Sequence, residues 1–173
     1  MKKLILIIFV FFFQNLNAEN NLVYLDVQYI IDNSTLGKHY KKKIKLIEDK
    51  NMPSILEKQK KLKKKEDEIN NQKNVITKDK LEEKIGELKL LVNDYQFSRN
   101  NLNKEISLKK KEYTSNILKL MNPIITNYVE KNNIYLVLKK KDILVGIKSL
   151  DITKQILDKL DSETKNKKLI NEN

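Results

Sequence analysis

The stretch KDKLEEKIGELKLLVNDYQFSRNNLNKEISLKKKEY, residues 78–113, decides the fold of this chain. Its large apolar and aromatic residues recur at alternating spacings of four and three, which is typical of a helix that packs along a narrow seam. The helical pattern covers residues 78–132. The part from Lys78 to Leu120 alone is about 65 Å long, so the helix must project from a chain of this size. The predicted seam residues are Leu81, Ile85, Leu88, Val92, Tyr95, Leu102, Ile106 and Tyr113.

A partner for this helix precedes it in the chain. Residues 36–73 read as a first long helix that is mostly Lys, Glu, Gln and Asn, with a thin apolar stripe at Ile55, Leu62 and Ile69. The Asn-rich segment 70–77 predicts a turn, and Thr77 can cap the second helix. The two helices therefore predict an antiparallel coiled-coil arm.

Two prolines interrupt the helical pattern. Within a helix, proline removes a hydrogen bond and clashes with the preceding turn, so Pro53 predicts a kink or break near residues 51–52. Alternatively, a short helix ends there and the arm begins with Pro53 in its first turn. Pro123 indicates a second kink, or the point where the long helix enters the body.

The β-strands flank the arm in the sequence. LVYLDVQ, residues 22–28, predicts one strand, and IYLVLKKKDILVGI, residues 134–147, predicts a hairpin followed by a short helix over 151–161. Three strands make a marginal core, so several chains are expected to pool them. The predicted fold class is α+β, with the arm inserted between strands 1 and 2. The expected pooled body residues are Val23, Leu25, Val27, Leu136, Leu138, Ile143 and Val145.

The N-terminus carries a predicted signal peptide over residues 1–18. A positive MKK start precedes an apolar run at residues 4–13, and a cleavage site is expected between Ala18 and Glu19. An uncleaved anchor is the alternative, although the run is short for a membrane span. Residues 19–173 then form one domain, with the body at 19–50 and 120–161, the arm at about 51–119 and a charged tail at 162–173.

The composition argues against an enzyme. The chain has no cysteine, one histidine and three scattered glycines, so it offers no disulfide, thiol nucleophile or phosphate-cradling loop. His39 has no neighbouring acid until Glu48, and a His-based triad or metal site lacks its other members. We therefore expect no catalytic residue, no metal and no cofactor.

The chain is strongly basic. Its formal net charge is +12, which suits an acidic protein, a membrane surface or nucleic acid as partner. The abundance of lysine could equally reflect compositional bias. Arg99 is the single arginine, which argues against the bidentate guanidinium contacts that read base sequence, so no specific nucleic-acid partner is expected.

Four apolar residues lie outside the predicted seam. Val75 and Ile76 fall at the tip of the helical hairpin, whereas Leu90 and Phe97 are seven residues apart and share another face. They are candidate contacts for a partner. The alternatives are packing within the hairpin's own end and isolated exposed side chains without a role.

The order of these segments resembles the Skp/OmpH family of periplasmic chaperones. The resemblance covers the whole of residues 19–173 and rests on VYLDVQYIIDNSTLGK, on the long charged hairpin and on YLVLKKKDILVGIKSLDITKQILDKL. It implies a homotrimer whose β body carries three helical arms around a cavity. It also implies a periplasmic holdase that uses no ATP and keeps unfolded outer-membrane proteins from aggregating.

The resemblance further implies an association with anionic lipid or lipopolysaccharide in some members. Two rival functions remain open on the sequence. One is a basic envelope protein that binds polyanions or lipopolysaccharide, and the net positive charge supports this function. The other is a coiled-coil structural adaptor that bridges partners as a stiff rod.

Overall fold

The computed structural model describes residues 22–167, so the predicted signal peptide and residues 168–173 lie outside the described residues. The chain is mostly helical with a small two-stranded sheet, which confirms the predicted α+β class in outline. In chain order the elements are β1 (Leu22–Leu25), α1 (Val27–Asn33), α2 (Thr35–Gln72), α3 (Lys78–Lys131), β2 (Leu136–Lys139), two 3-10 turns (Lys140–Asp142 and Lys148–Leu150) and α4 (Thr153–Asn166).

Strand β1 is shorter than predicted because Asp26 starts a helix. The Asp26 carboxylate accepts a hydrogen bond from the backbone N–H of Tyr29 at 2.9 Å and so caps α1. The backbone N–H of Asp26 donates to Thr153 Oγ1 at 2.9 Å, which ties the end of β1 to α4. The strand expected over 22–28 therefore ends at Leu25.

The sheet pairs the two ends of the chain in parallel. Leu22 lies opposite Leu136 and Leu25 lies opposite Lys139, so the arm is inserted between the two strands. The prediction of a hairpin over 134–147 is wrong for the single chain. Among residues 22–167 only one strand, β2, follows the arm. After β2 the chain turns at Lys140–Asp142, and Lys140 Nζ lies 2.8 Å from Asp151 Oδ2.

The arm is an antiparallel pair of α2, with 38 residues, and α3, with 54 residues. The contacts between the helices pair early residues of α2 with late residues of α3, as expected for antiparallel helices. Tyr40 contacts Tyr113, Lys58 contacts Asp94 and Lys65 contacts Glu87. At the tip, Thr77 Oγ1 accepts from the backbone N–H of Lys80. The predicted helix bounds, 36–73 and 78–132, differ from these by one residue at most.

Both prolines lie inside continuous helices. Pro53 is within α2 and Pro123 is within α3, so the break or new start expected at residues 51–52 is wrong. Next to Pro53, the Asn51 side-chain amide donates to the carbonyl oxygen of Ile47 at 2.8 Å. The carbonyl that Pro53 leaves without its helical donor is that of Asp49, four residues earlier, so this bond does not replace the one that is lost.

The hydrophobic core lies at the base of the arm, where β1 and α4 pack against the ends of the two long helices. Helix α4 is longer than the predicted 151–161 and buries Ile156, Leu160 and Thr164. Asp151 Oδ1 accepts from the backbone N–H of Thr153 at 3.0 Å at the start of this helix. The core residues are Val23, Leu25, Ile30, Leu36, Ile117, Met121, Ile124, Ile152, Ile156 and Leu160.

Candidate functional site

The side chains of residues 22–167 do not assemble a metal site, since no group of three or more His, Asp or Glu is placed to hold an ion there. His39 lies on α2, where its Nε2 is buried without a hydrogen-bond partner. Burial lowers the pKa of His39, and the nearby Lys43 and Lys42 lower it further. The lowered pKa favours the neutral form of the imidazole at this position.

The candidate site is therefore a surface, and the arm is its largest part. On α3 the seam residues proposed from the sequence face α2 to different degrees. Leu102 is buried, and Ile85 is the most open at 36% exposed. The others are partly buried: Leu81, Leu88, Val92, Tyr95, Ile106 and Tyr113.

Charged residues of α2 also lie in this seam, which the apolar pattern did not predict. Lys58 Nζ lies 2.7 Å from Asp94 Oδ1 and donates to Ser98 Oγ at 2.7 Å. Lys65 pairs with Glu87, and its side chain is only 18% exposed. The seven-residue spacing of Lys58 and Lys65 is the signal in the sequence that could have revealed them as seam positions.

A third cross-helix pair lies near the tip of the arm. Lys84 on α3 pairs with Glu68 on α2, and this hydrogen bond lowers the pKa of the Glu68 carboxyl below its ordinary value. These charged pairs determine which residues of α2 and α3 lie opposite each other, because a slip of the helices would separate them.

At the base of the arm an aromatic contact joins α2 to α3. The rings of Tyr40 and Tyr113 stack with centroids 4.1 Å apart and planes 3° apart. Beside them, Lys41 Nζ lies 2.9 Å from Asp32 Oδ1. The hydrogen bond that the Gln28 side chain donates lowers the pKa of the Asp32 carboxyl, and Lys41 lowers it further.

Large apolar side chains are exposed along the outside of the arm. Val75 is 81% exposed, Leu90 69% and Phe97 66%, whereas Ile76 is partly buried at the tip. Leu108, which is 57% exposed, was missed from the sequence. It follows Phe97 by eleven residues, about three helical turns, so it extends the face of Leu90 and Phe97.

A second apolar surface lies on the body. Of the proposed body residues, Val23 and Leu25 belong to the core of the single chain, and Val27 packs against it. Leu136 and Leu138 are 50% and 36% exposed, Ile143 is partly buried and Val145 is 88% exposed. We call the exposed set the open body surface; it consists of Tyr135, Leu136, Leu138, Leu144, Val145 and Ile147.

Comparison with known families agrees with this architecture. The family model described as "Outer membrane protein (OmpH-like)" matches residues 21–160. This chain belongs to the OmpH-like family. No curated protein matches the sequence significantly.

A solved structure has the same OmpH-like fold. It is the crystal structure of a protein from Caulobacter crescentus CB15 that is named as a candidate outer membrane chaperone (OmpH-like). The TM-score is 0.66 at 18% sequence identity, over 88% of this chain and 91% of the other. The match covers the arm and the body together, so the OmpH-like fold is shared along nearly the whole chain.

The OmpH-like chain shows no membrane-spanning helix in its described part. None of the helices between residues 22 and 167 is both long enough and apolar enough to cross a bilayer. Their length comes from charged residues with a thin apolar seam, as in the 38-residue helix α2.

Proposed function

We propose that this OmpH-like protein is an ATP-independent periplasmic holdase, which binds unfolded outer-membrane proteins between helical arms and prevents their aggregation. The observation that carries the proposal is the family match over residues 21–160. The likeness to a candidate outer membrane chaperone supports it at the level of fold. The signal peptide expected before Glu19 supports the periplasmic location.

We propose that three copies associate through the open body surface. Leu144 and Val145 are 100% and 88% exposed in the single chain, and β2 has a free edge in a two-stranded sheet. Exposed apolar residues beside an unpaired strand edge favour association with another chain. Burying these side chains would stabilise an assembly that has no disulfides.

The arms of such a trimer would surround a cavity for the client. We propose that the client contacts are Val75, Ile76, Leu90 and Phe97, with the helix seam holding each arm rigid. Scattered apolar side chains give weak, non-directional contacts, and the strong excess of lysine attracts acidic client segments at long range. Enclosure then keeps one client from pairing its strands with another.

The proposal is tested by diluting a denatured outer-membrane β-barrel protein into buffer that contains the mature chain and no ATP. Light scattering is recorded at low and high salt. We expect scattering to be suppressed at a few chains per client, and less strongly at high salt. Aggregation of the client in the presence of a folded, oligomeric chain would contradict the proposal.

A pair of variants makes the same assay specific for the arm. Leu90→Ser combined with Phe97→Ser removes two proposed contacts, whereas Leu46→Ser removes an apolar side chain outside the proposed set that is nearly as exposed, at 59%. We expect the double variant to need more chains per client and the control variant to match the parent. Equal activity of all three proteins would exclude Leu90 and Phe97 as contacts.

The basic charge favours a second function, binding to anionic lipid or lipopolysaccharide at the membrane surface. It would show as co-sedimentation with anionic vesicles and as a steep decrease in binding with salt. Binding to anionic vesicles without any effect on client aggregation would favour this second function over the holdase.

A further inference from the structure

The middle of the arm carries a groove with an apolar floor. It lies between α2 and α3, beside Pro53, and has a volume of about 310 Å³. Ile55 and Leu102 form its buried floor, at 7% and 6% exposed, while Met52 and Leu56 are 42% and 48% exposed at its side. The space is large enough for one or two side chains, and it is apolar where it is deepest.

The rim of the groove is polar and cationic. Arg99 lines it together with the amide side chains of Gln59 and Asn103. The Arg99 guanidinium lies over the ring of Tyr95, 5.7 Å from the ring centre. Among residues 22–167, the ion pairs formed by the carboxylates all use lysines, and Arg99 takes part in none of them.

We infer that this groove binds a segment of unfolded polypeptide in which a large apolar side chain is next to an Asp or Glu. The apolar side chain would enter between Met52 and Leu56, and the carboxylate would accept from Arg99. A guanidinium stacked on an aromatic ring is held in place, so it loses little freedom on pairing with a carboxylate. The amides of Gln59 and Asn103 can bond the peptide backbone.

This inference rests on the proposed function and adds a local preference to it. General attraction by a basic surface depends on net charge, and any of the exposed lysines contributes to it. The groove instead requires an apolar and an acidic group at adjacent positions of the client. The two effects are separable because only the second depends on Arg99.

The test uses the full mature chain and short fluorescent peptides with acetylated and amidated ends, so that the only carboxylate is a side chain. Three peptides in a Ser/Gly background carry a central Phe-Asp, Phe-Asn or Ala-Asp pair. Binding is measured by fluorescence anisotropy. We expect Phe-Asp to bind about threefold to fivefold more tightly than Phe-Asn, the upper part of the range for one exposed ion pair.

Two matched pairs of variants assign the effect. Arg99→Gln should reduce the preference for Phe-Asp over Phe-Asn to the part that general charge attraction supplies, whereas Lys89→Gln, which removes the same charge from another exposed position of α3, should keep it. Leu56→Gln should weaken both Phe peptides, and Leu46→Gln should not. Circular dichroism establishes that each variant is folded like the parent.

The outcomes separate this inference from the holdase. If the parent suppresses aggregation but binds Phe-Asp and Phe-Asn equally, or keeps its full preference in Arg99→Gln, the groove is not a client site although the holdase stands. If the parent binds Phe-Asp through Arg99 but fails to suppress aggregation, the groove is supported and the holdase is contradicted.

Discussion

Of the three glycines, Gly37 is the one whose backbone is packed most tightly against its neighbours. It lies in the first turn of α2, where its N–H donates to the Oγ of the buried Ser34 at 3.0 Å. A Cβ added at Gly37 would lie 1.8 Å from the carbonyl oxygen of Ile31 in α1. The close turn between α1 and α2 therefore requires a residue without a side chain.

We expect Gly37→Ala to lower the free energy of unfolding by about 3 kcal/mol, because the clash is with backbone and can be relieved only by moving α1. Gly86→Ala is the matched control. A Cβ at Gly86 meets nothing within 4 Å, so alanine should stabilise helix α3 by about 0.5–1 kcal/mol.

Urea unfolding followed by circular dichroism at one fixed protein concentration measures both variants. An unchanged midpoint for Gly37→Ala would show that the turn between α1 and α2 relaxes easily. A loss of stability in Gly86→Ala would contradict the open environment of that position.

The arm as an element is held together differently along its length. Near the body, Tyr40 stacks on Tyr113, and Ile117 is almost completely buried. Toward the tip, lysine–carboxylate pairs take a large share of the seam. Apolar contacts carry no charge to titrate or to screen. Exposed and partly exposed ion pairs, in contrast, are weakened by acid, which protonates the carboxylate, and by salt, which screens the charges. The distal arm is therefore the part whose stability depends on conditions.

We expect the distal arm to open more readily in acid. Hydrogen bonding to Lys84 lowers the pKa of Glu68 from its ordinary value of 4.5, so the pair contributes stability above that value. The contribution is lost as the pH falls through the lowered pKa. Amide hydrogen exchange, corrected for its intrinsic pH dependence, should show faster opening around Glu68 and Lys84 from about pH 6 to about pH 3.5.

The matched control for the acid effect is the double variant Glu68→Gln with Lys84→Gln, which cannot titrate at this pair. Its corrected exchange near the tip should change less with pH than that of the parent, while exchange near Tyr40 and Tyr113 stays the same in both proteins. An equal pH dependence in parent and double variant would assign the effect to other carboxylates.

At the scale of the whole molecule, residues 22–167 leave one side of the body uncovered. The core is completed by β1, α4 and the ends of the long helices, but the segment after β2 exposes Leu144, Val145 and Ile147. The chain bends there without a strand partner of its own. The proposed homotrimer supplies partners for this segment from neighbouring copies.

We expect Leu144→Ser combined with Val145→Ser to shift the protein from trimer toward monomer, because both side chains would lose apolar burial between copies. Sedimentation velocity over a range of concentrations measures the shift. Helix content should remain close to that of the parent, since these residues are exposed in the single chain. A parent that sediments as a monomer at all concentrations would contradict the trimer.

Much of the fold could be predicted from the sequence because the arm depends on local patterns. Heptad spacing and the Thr77 cap predicted α2 and α3 to within a residue, since helix hydrogen bonds join neighbours in the chain. The break at Pro53 was wrong because packing against α3 keeps α2 continuous. The groove at Arg99 could not be predicted, because residues that line it come from two helices and are about forty positions apart.

By itself, then, the sequence determined the two arm helices and the pairing of a first strand with a later one. Only the tertiary structure decided that β1 stops at Leu25, that residues 143–147 form no strand within the chain, and that Lys58 and Lys65 lie in the seam. The reason is physical: hydrophobic periodicity reports which face of a helix avoids water, whereas strand pairing and ion pairing depend on groups brought together from distant parts of the chain.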